Sequence, residues 1–294
     1  MKYNDYPCLF QSSDKASLST QKTFINMTRL DFILLVAAAI FSCLISSSSV
    51  GGYKWFAWAV VISLILSLIL KLIIQVFRWD RKWFDTRAVA ESVKTATWRY
   101  ITGSEPYTLN LKQTEVDEKF IDELREILQA RPEVQKCLST HLEGEKQISE
   151  RMREIRHMDF DKRKDIYIKQ RVINQKKWYA NKAKYNGKAS ILWFWVVIAV
   201  EILAILAAIY ILNISRIILN PIGVFTTVAV VFSAWIQIKK HRELSQSYAL
   251  GAQELAAVES LQNKIVDNNS FSQYVVSAED AISKEHTLWC AKRD

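Results

Sequence analysis

The sequence predicts an all-α integral membrane protein with four transmembrane helices in two hairpins and a cytoplasmic helical bundle carried on long stalk helices. Three observations predict it. Four apolar stretches, at 30–49, 53–77, 191–213 and 217–238, each approach the ~20 residues that cross a hydrocarbon core as a helix. Gly51-Gly52 separates the first pair, and Asn213 with Asn220-Pro221 the second, so each connection is a short turn with no room for a domain. Lys and Arg, finally, are sorted to one side of these stretches.

The first stretch is the shortest in its strictly apolar part, 32–45. It qualifies as a span because Ser46 to Ser49 can bond to their own backbone and a stronger span follows at once. Its N-terminal flank carries Lys15, Lys22 and Arg29. Arg78, Arg81, Lys82 and Arg87 follow the second stretch, Lys176, Lys177, Lys182, Lys184 and Lys188 precede the third, and Lys239, Lys240 and Arg242 follow the fourth. The hairpin turns hold only Lys54 and Arg216. The positive-inside rule therefore places both termini and the middle segment in the cytoplasm, as a multi-pass protein of the cell's inner (plasma) membrane. No cleavable signal peptide is apparent, because the first apolar run follows about thirty mixed residues and no small-residue cleavage pattern succeeds it.

Composition bounds the function. A chain of 294 residues, 50% hydrophobic, 23% charged and +9 overall, holds four spans and a helical body but no separate large catalytic domain. Cys8, Cys43, Cys137 and Cys290 are scattered and suggest neither a disulfide framework nor a zinc site. With seven glycines there is no phosphate-cradling loop and no dinucleotide fingerprint. Neither an enzyme nor a cofactor is expected.

Outside the spans the chain reads as helical. An amphipathic helix is expected to continue the second span from Trp79 through Ala90, Val93 and Trp98 and to stop at Gly103-Ser104-Glu105-Pro106. Thr114 and Asp117 have the spacing of a capping box ahead of an apolar face of Val116, Phe120, Ile121, Leu124, Ile127 and Leu128. A long charged helix is expected from about Gly144 to the third span. After the fourth span Leu244, Tyr248, Leu255, Val258 and Ile265 keep helical spacing; unbroken from Ile217, that helix is about 75 Å long and projects some 40 Å beyond the membrane. Ser277 to Asp280 reads as a second capping box opening the last helix. The expected division is an N-terminal tail (1–29), a first hairpin with its following helix (30–110), a small helical insert (111–145) and a second hairpin with flanking helices (146–294).

Polar residues inside the spans are the candidates for function. Ser63, Ser67, Lys71 and Gln75 recur every four residues along the second span and either line a pore or allow close helix packing. Glu201, near the middle of the third span, either lines a cation path or is hydrogen-bonded between helices, to Thr226 or Thr227. Lys71 is expected to snorkel to the interface rather than to reach Glu201, since a pair requires a shift of about 10 Å in depth. Four spans have too few polar faces to enclose water, so conduction implies a homo-oligomer.

Seven basic residues and no carboxylate lie between 166 and 188. Lys176, Lys177, Trp178, Lys182, Lys184 and Lys188 lie beside a membrane span, which favours anionic lipid headgroups of the bilayer over nucleic acid as partner. Each hairpin is followed by a helix with small residues and a glutamate, Glu91 in the first half and Glu254 in the second. Glu285, His286 and Trp289 are candidates for contacts of the terminal helix, and His286 lacks the companions that catalysis needs.

Specific residue sets then resemble a known family. In the second half Tyr167-Ile168, Arg171, Gln175, Trp178-Tyr179, Lys182-Ala183 and Asn186 precede a two-span hairpin, followed by Ala252-Gln253-Glu254-Leu255 and by Ala278-Glu279, Ile282, Glu285-His286-Thr287 and Trp289. This set resembles the SLATT family, the SMODS and SLOG-associating two-transmembrane effector domains. Arg87, Ala90-Glu91-Ser92, Lys94, Trp98-Arg99-Tyr100 and Glu105-Pro106-Tyr107 are similar to another subgroup of that family. The resemblance sets aside the first thirty residues and the 114–144 insert. It implies an oligomeric membrane effector, pore-forming or membrane-perturbing, in a bacterial defence system with a nucleotide-sensing partner protein, and it carries no catalytic residues. A non-conducting anchor or scaffold that recruits a cytosolic partner is the alternative.

Overall fold

The computed structural model describes the backbone of residues 1–45, 53–138, 146–213 and 219–291, and side chains as far as 283 apart from that of residue 136. Among the described residues every regular element is a helix. Four helical stretches are long and apolar enough to cross a membrane. The chain is a multi-pass membrane protein, and it divides into two compact units, unit 1 (Met1–Gln21, Asp80–Lys184, Leu244–Asp294) and unit 2 (Lys22–Trp79, Tyr185–Glu243).

Unit 2 holds the apolar helices. α1 (Cys8–Ile45) supplies its C-terminal half, followed by α2 (Tyr53–Phe77). Residues 8–29, expected to form a tail, are thus continuous helix with the first span. α8 (Asn174–Leu212) and α9 (Ile222–Lys239) form the second pair. The fourth span starts at Ile222 rather than at the expected Ile217. There the Asn220 side chain accepts from the Ile222 amide at 3.2 Å, and Pro221 precedes the first turn. Residues 46–52 of the first connection and 214–218 of the second lie outside the described residues.

Both second spans end in the same way. At Arg78 (φ 47°) and Lys240 (φ 48°) the backbone turns left-handed, and each amide closes onto the carbonyl four residues back, Ile74 and Ile236. A new helix follows directly, α3 (Trp79–Thr102) in the first half and α10 (His241–Ser260) in the second. The expected 75 Å helix is therefore broken at Lys240, and the expected run-on at Trp79 is broken at Arg78. Neither break contains Gly or Pro, the residues from which a sequence reading takes its helix stops.

Unit 1 is a helical body around a main apolar core of Trp98, Tyr100, Tyr107, Phe120, Met152 and Phe271, among others, with a smaller cluster of Tyr179, Leu255, Ala281 and Ile282. α3 buries Ala90, Val93 and Trp98 as its periodicity predicts. It ends at Gly103 (φ 70°), with Gly103 N bonding Tyr100 O at 3.2 Å and Ser104 N bonding Arg99 O at 3.0 Å, the paired closure of a Schellman turn. α4 (Gln113–Gln129) buries Val116, Phe120 and Leu124 in that same core. The capping box expected at Thr114 does not form, since Lys112 is the N-cap and makes no side-chain bond. Asp117 instead accepts from the Tyr100 hydroxyl at 2.6 Å and from Arg153 at 2.7 Å. α5 (Pro132–Leu138) follows.

The charged helix expected from Gly144 is split. α6 (Glu150–Arg156), capped by Ser149 bonding the Met152 amide, gives way to α7 (Phe160–Tyr167), a π-helical turn (Ile168–Ile173) and α8. The last helix, α11 (Asn268–Ala291), opens well before Ser277, its expected cap. Asp267 and Ser270 cap it reciprocally: Ser270 N donates to Asp267 Oδ1 at 2.8 Å and Asp267 N to Ser270 Oγ at 3.0 Å. Ser277 lies inside α11, where its hydroxyl donates to Gln273 O at 2.9 Å and caps nothing.

Candidate functional site

Two polar constellations stand out, one in each unit. In unit 1 the centre is Glu279, on α11 and fully buried. Arg171, 2% exposed, grips it with two parallel bonds, Nε to Oε1 at 2.9 Å and Nη2 to Oε2 at 2.7 Å. The Tyr167 hydroxyl donates to Oε1 at 3.0 Å and the Thr95 hydroxyl to Oε2 at 2.9 Å. The carboxylate thus accepts four hydrogen bonds.

Tyr167 and Arg171, four residues apart, share one helix face, and the wider winding of the π-helical turn brings Val172 to the core beside them. Burial opposes the Arg171 cation, but the Glu279 charge and its hydrogen bonds outweigh burial, so the guanidinium pKa is raised. Burial and the same carboxylate raise the Tyr167 phenol. Around this pair Arg87 meets Asp14 at 3.3 Å and Glu91 at 2.5 Å, and Arg99 meets Asp280 at 2.7 Å.

Other expected contacts in unit 1 are dispersed. Glu254 is half-buried and makes no ion pair among the described residues. The side chains of Glu285, His286 and Trp289 lie outside the described residues. Lys176 pairs with Glu259, Lys182 lies 5.6 Å from the Trp178 ring, and Lys177 and Lys184 are exposed.

In unit 2 the second-span stripe divides. Ser63 and Ser67 are buried, whereas Lys71 and Gln75 are exposed. Ser67 Oγ donates to Asp31 Oδ1 on α1, and Lys71 Nζ reaches Ser67 Oγ at 3.3 Å and Asp31 Oδ1 at 3.6 Å. Lys71, expected to snorkel, has a carboxylate partner that sequence reading misses. Asp31 lies at the start of the 30–49 stretch, just ahead of its strictly apolar part, 32–45, and is not among the candidate residues. The available signal is the antiparallel register, which sets the start of one span beside the end of the next.

Glu201 is on the exposed face of α8 and makes no hydrogen bond or ion pair among the described residues. Of its two alternatives, the interhelical bond is not formed among the described residues: Thr226 donates to Ile222 O at 3.0 Å and Thr227 to Gly223 O at 2.7 Å, each within its own helix. Lys188 is also exposed. Among the described residues no group of three or more His, Cys, Asp or Glu could hold a metal ion.

These features define a helical multi-pass membrane protein whose polar unit is locked by a buried ion pair. The chain matches the model of SMODS and SLOG-associating 2TM effector domain 3 over residues 7–164 and that of SMODS and SLOG-associating 2TM effector domain 1 over residues 167–289. It belongs to the SLATT family, as two tandem domains of different subgroups. The matches include the first helix and the 114–144 insert, which the sequence resemblance sets aside. Comparison with curated proteins and with solved structures found no match.

Proposed function

We propose that the protein is an oligomeric membrane effector that forms a pore or perturbs the bilayer of the inner membrane in a bacterial defence system, with both termini cytoplasmic. The observation that carries this reading is Glu201. A carboxylate midway along an apolar helix, exposed and making no bond within its own chain among the described residues, is costly in lipid and is relieved where copies assemble around water. The effector description of both matched domains supports the same reading, and the sorting of Lys and Arg supports the orientation.

Ion flux from liposomes holding the purified protein tests it. The native chain should conduct, Glu201→Leu should abolish conduction with folding intact, and Glu201→Asp should retain it. Flux unchanged by Glu201→Leu refutes the assignment.

One observation favours a non-conducting scaffold instead. Ser63 and Ser67 are buried within one protomer, so this part of the stripe serves packing of α1 on α2. Under that reading native liposomes stay tight and substitutions act through a cytosolic partner that senses the nucleotide signal.

A further inference from the structure

Unit 2 contains a groove of about 630 Å³ bounded by α1, α8 and α9. Phe32, Val36, Ile40, Trp193 and Phe232 are among its walls, and Arg29 is the one charged residue lining it among the described residues. Trp235 closes the Arg29 end. Its ring lies 5.3 Å from the Arg29 guanidinium carbon and 4.9 Å from Lys239 Nζ, so two cations gather at one indole.

We propose that this groove is a binding site for an anionic phospholipid, with one acyl chain along α1 and the phosphate held by Arg29 and Lys239. Length fits one leaflet. Arg29 and Ile40 are eleven residues apart, about 16 Å along a helix, against half of a ~30 Å hydrocarbon core. Matched to one leaflet in length and carrying two cations at one end, the groove fits a lipid chain with an anionic headgroup.

Charge selects the headgroup. Arg29 is exposed and makes no ion pair among the described residues, and the neighbouring carboxylate, Asp31, is already engaged by Ser67 and Lys71. A guanidinium and an ammonium gathered at one interfacial tryptophan match a phosphate oxyanion. Apolar walls below them offer nothing to water.

The test is native mass spectrometry of the full chain extracted from vesicles of equimolar phosphatidylglycerol and phosphatidylcholine. Phosphatidylglycerol should be retained preferentially, and Arg29→Gln with Lys239→Gln should lower that preference on the order of tenfold. Val36→Trp, which fills the groove, should reduce retention of both lipids. Because that variant can disturb packing, Val36→Cys provides a second reading through labelling by a thiol-reactive lipid. Equal retention of the two lipids, a preference unchanged by the paired substitution, or disulfide linkage of Val36→Cys to a second copy would each overturn the assignment. Ion flux is not a readout here, so the lipid site and the pore can fail separately.

Discussion

Glu279→Gln is the most informative single change in unit 1, because it removes charge while keeping shape. In the native protein the carboxylate is inaccessible to solvent and takes four hydrogen bonds, two of them from Arg171, itself 2% exposed. An amide accepts through one oxygen only and turns its NH2 toward donors. Arg171 would keep its charge in a dry site with no anion bonded to it, the situation that costs about 3–5 kcal/mol when one partner of a buried pair is deleted. Amide hydrogen exchange in α3, the π-helical turn and α11 is the suitable assay, since two compact units need not unfold in one step. Protection there should fall by roughly 10²- to 10⁴-fold. Arg171→Met combined with Glu279→Leu should recover most of it, leaving about 1–2 kcal/mol because the Tyr167 and Thr95 hydroxyls lose their acceptor. A double variant as damaged as the sum of its parts, or a Glu279→Gln protein with native protection, would refute the reasoning.

Gly103→Ala should destabilise unit 1 by about 1–3 kcal/mol in chemical denaturation, because φ is 70° and an added Cβ would lie 2.5 Å from Leu109 Cδ2. Lys240→Gly should raise the midpoint of thermal unfolding in detergent, relieving a left-handed lysine at about 0.5–1 kcal/mol net of the added chain entropy. Asp31→Ala should lower the same midpoint and Asp31→Leu with Lys71→Leu should restore it, since the pair is buried on the Asp31 side. Tyr6, Tyr100 and Tyr274 are pushed up to about 12 from 10.0, chiefly by burial. The unfolded chain therefore releases these protons first, and stability measured by denaturant titration should hold below about pH 10 and fall as pH rises from about 10 toward 12.

The spans are legible because a bilayer imposes length and polarity on a sequence, and the faces of α3 and α4 because burial imposes a period. Capping is not. Thr114 and Ser277 have the residue types of helix openers, yet Asp117, the partner of Thr114 in its box, and Glu279, inside the box of Ser277, are taken by Arg153 and Arg171 from distant segments. Tertiary ion pairing overrides a local motif, and one sequence gives no view of that competition. The breaks at Arg78 and Lys240 are hidden for the opposite reason: left-handed basic residues carry no composition signal. Asp31 is visible in the sequence at the start of the first span, so it is the register of the hairpin, not the residue, that escapes.

The Glu279 network also bears on what a tandem family match means. Thr95 lies in the first matched segment, while Tyr167, Arg171 and Glu279 lie in the second. The boundary between the matches, at 164–167, falls within the continuous helical run that begins at Phe160. The two domains are therefore not separable beads on a chain. Cutting at the boundary would strand a buried carboxylate without Thr95 and would divide the apolar core that Trp98 and Tyr100 share with Tyr167 and Phe271. Each half contributes a hairpin whose second span ends at a left-handed basic residue, so the two halves are built alike. Fusion of their polar helices around one ion pair makes unit 1 a joint product of both.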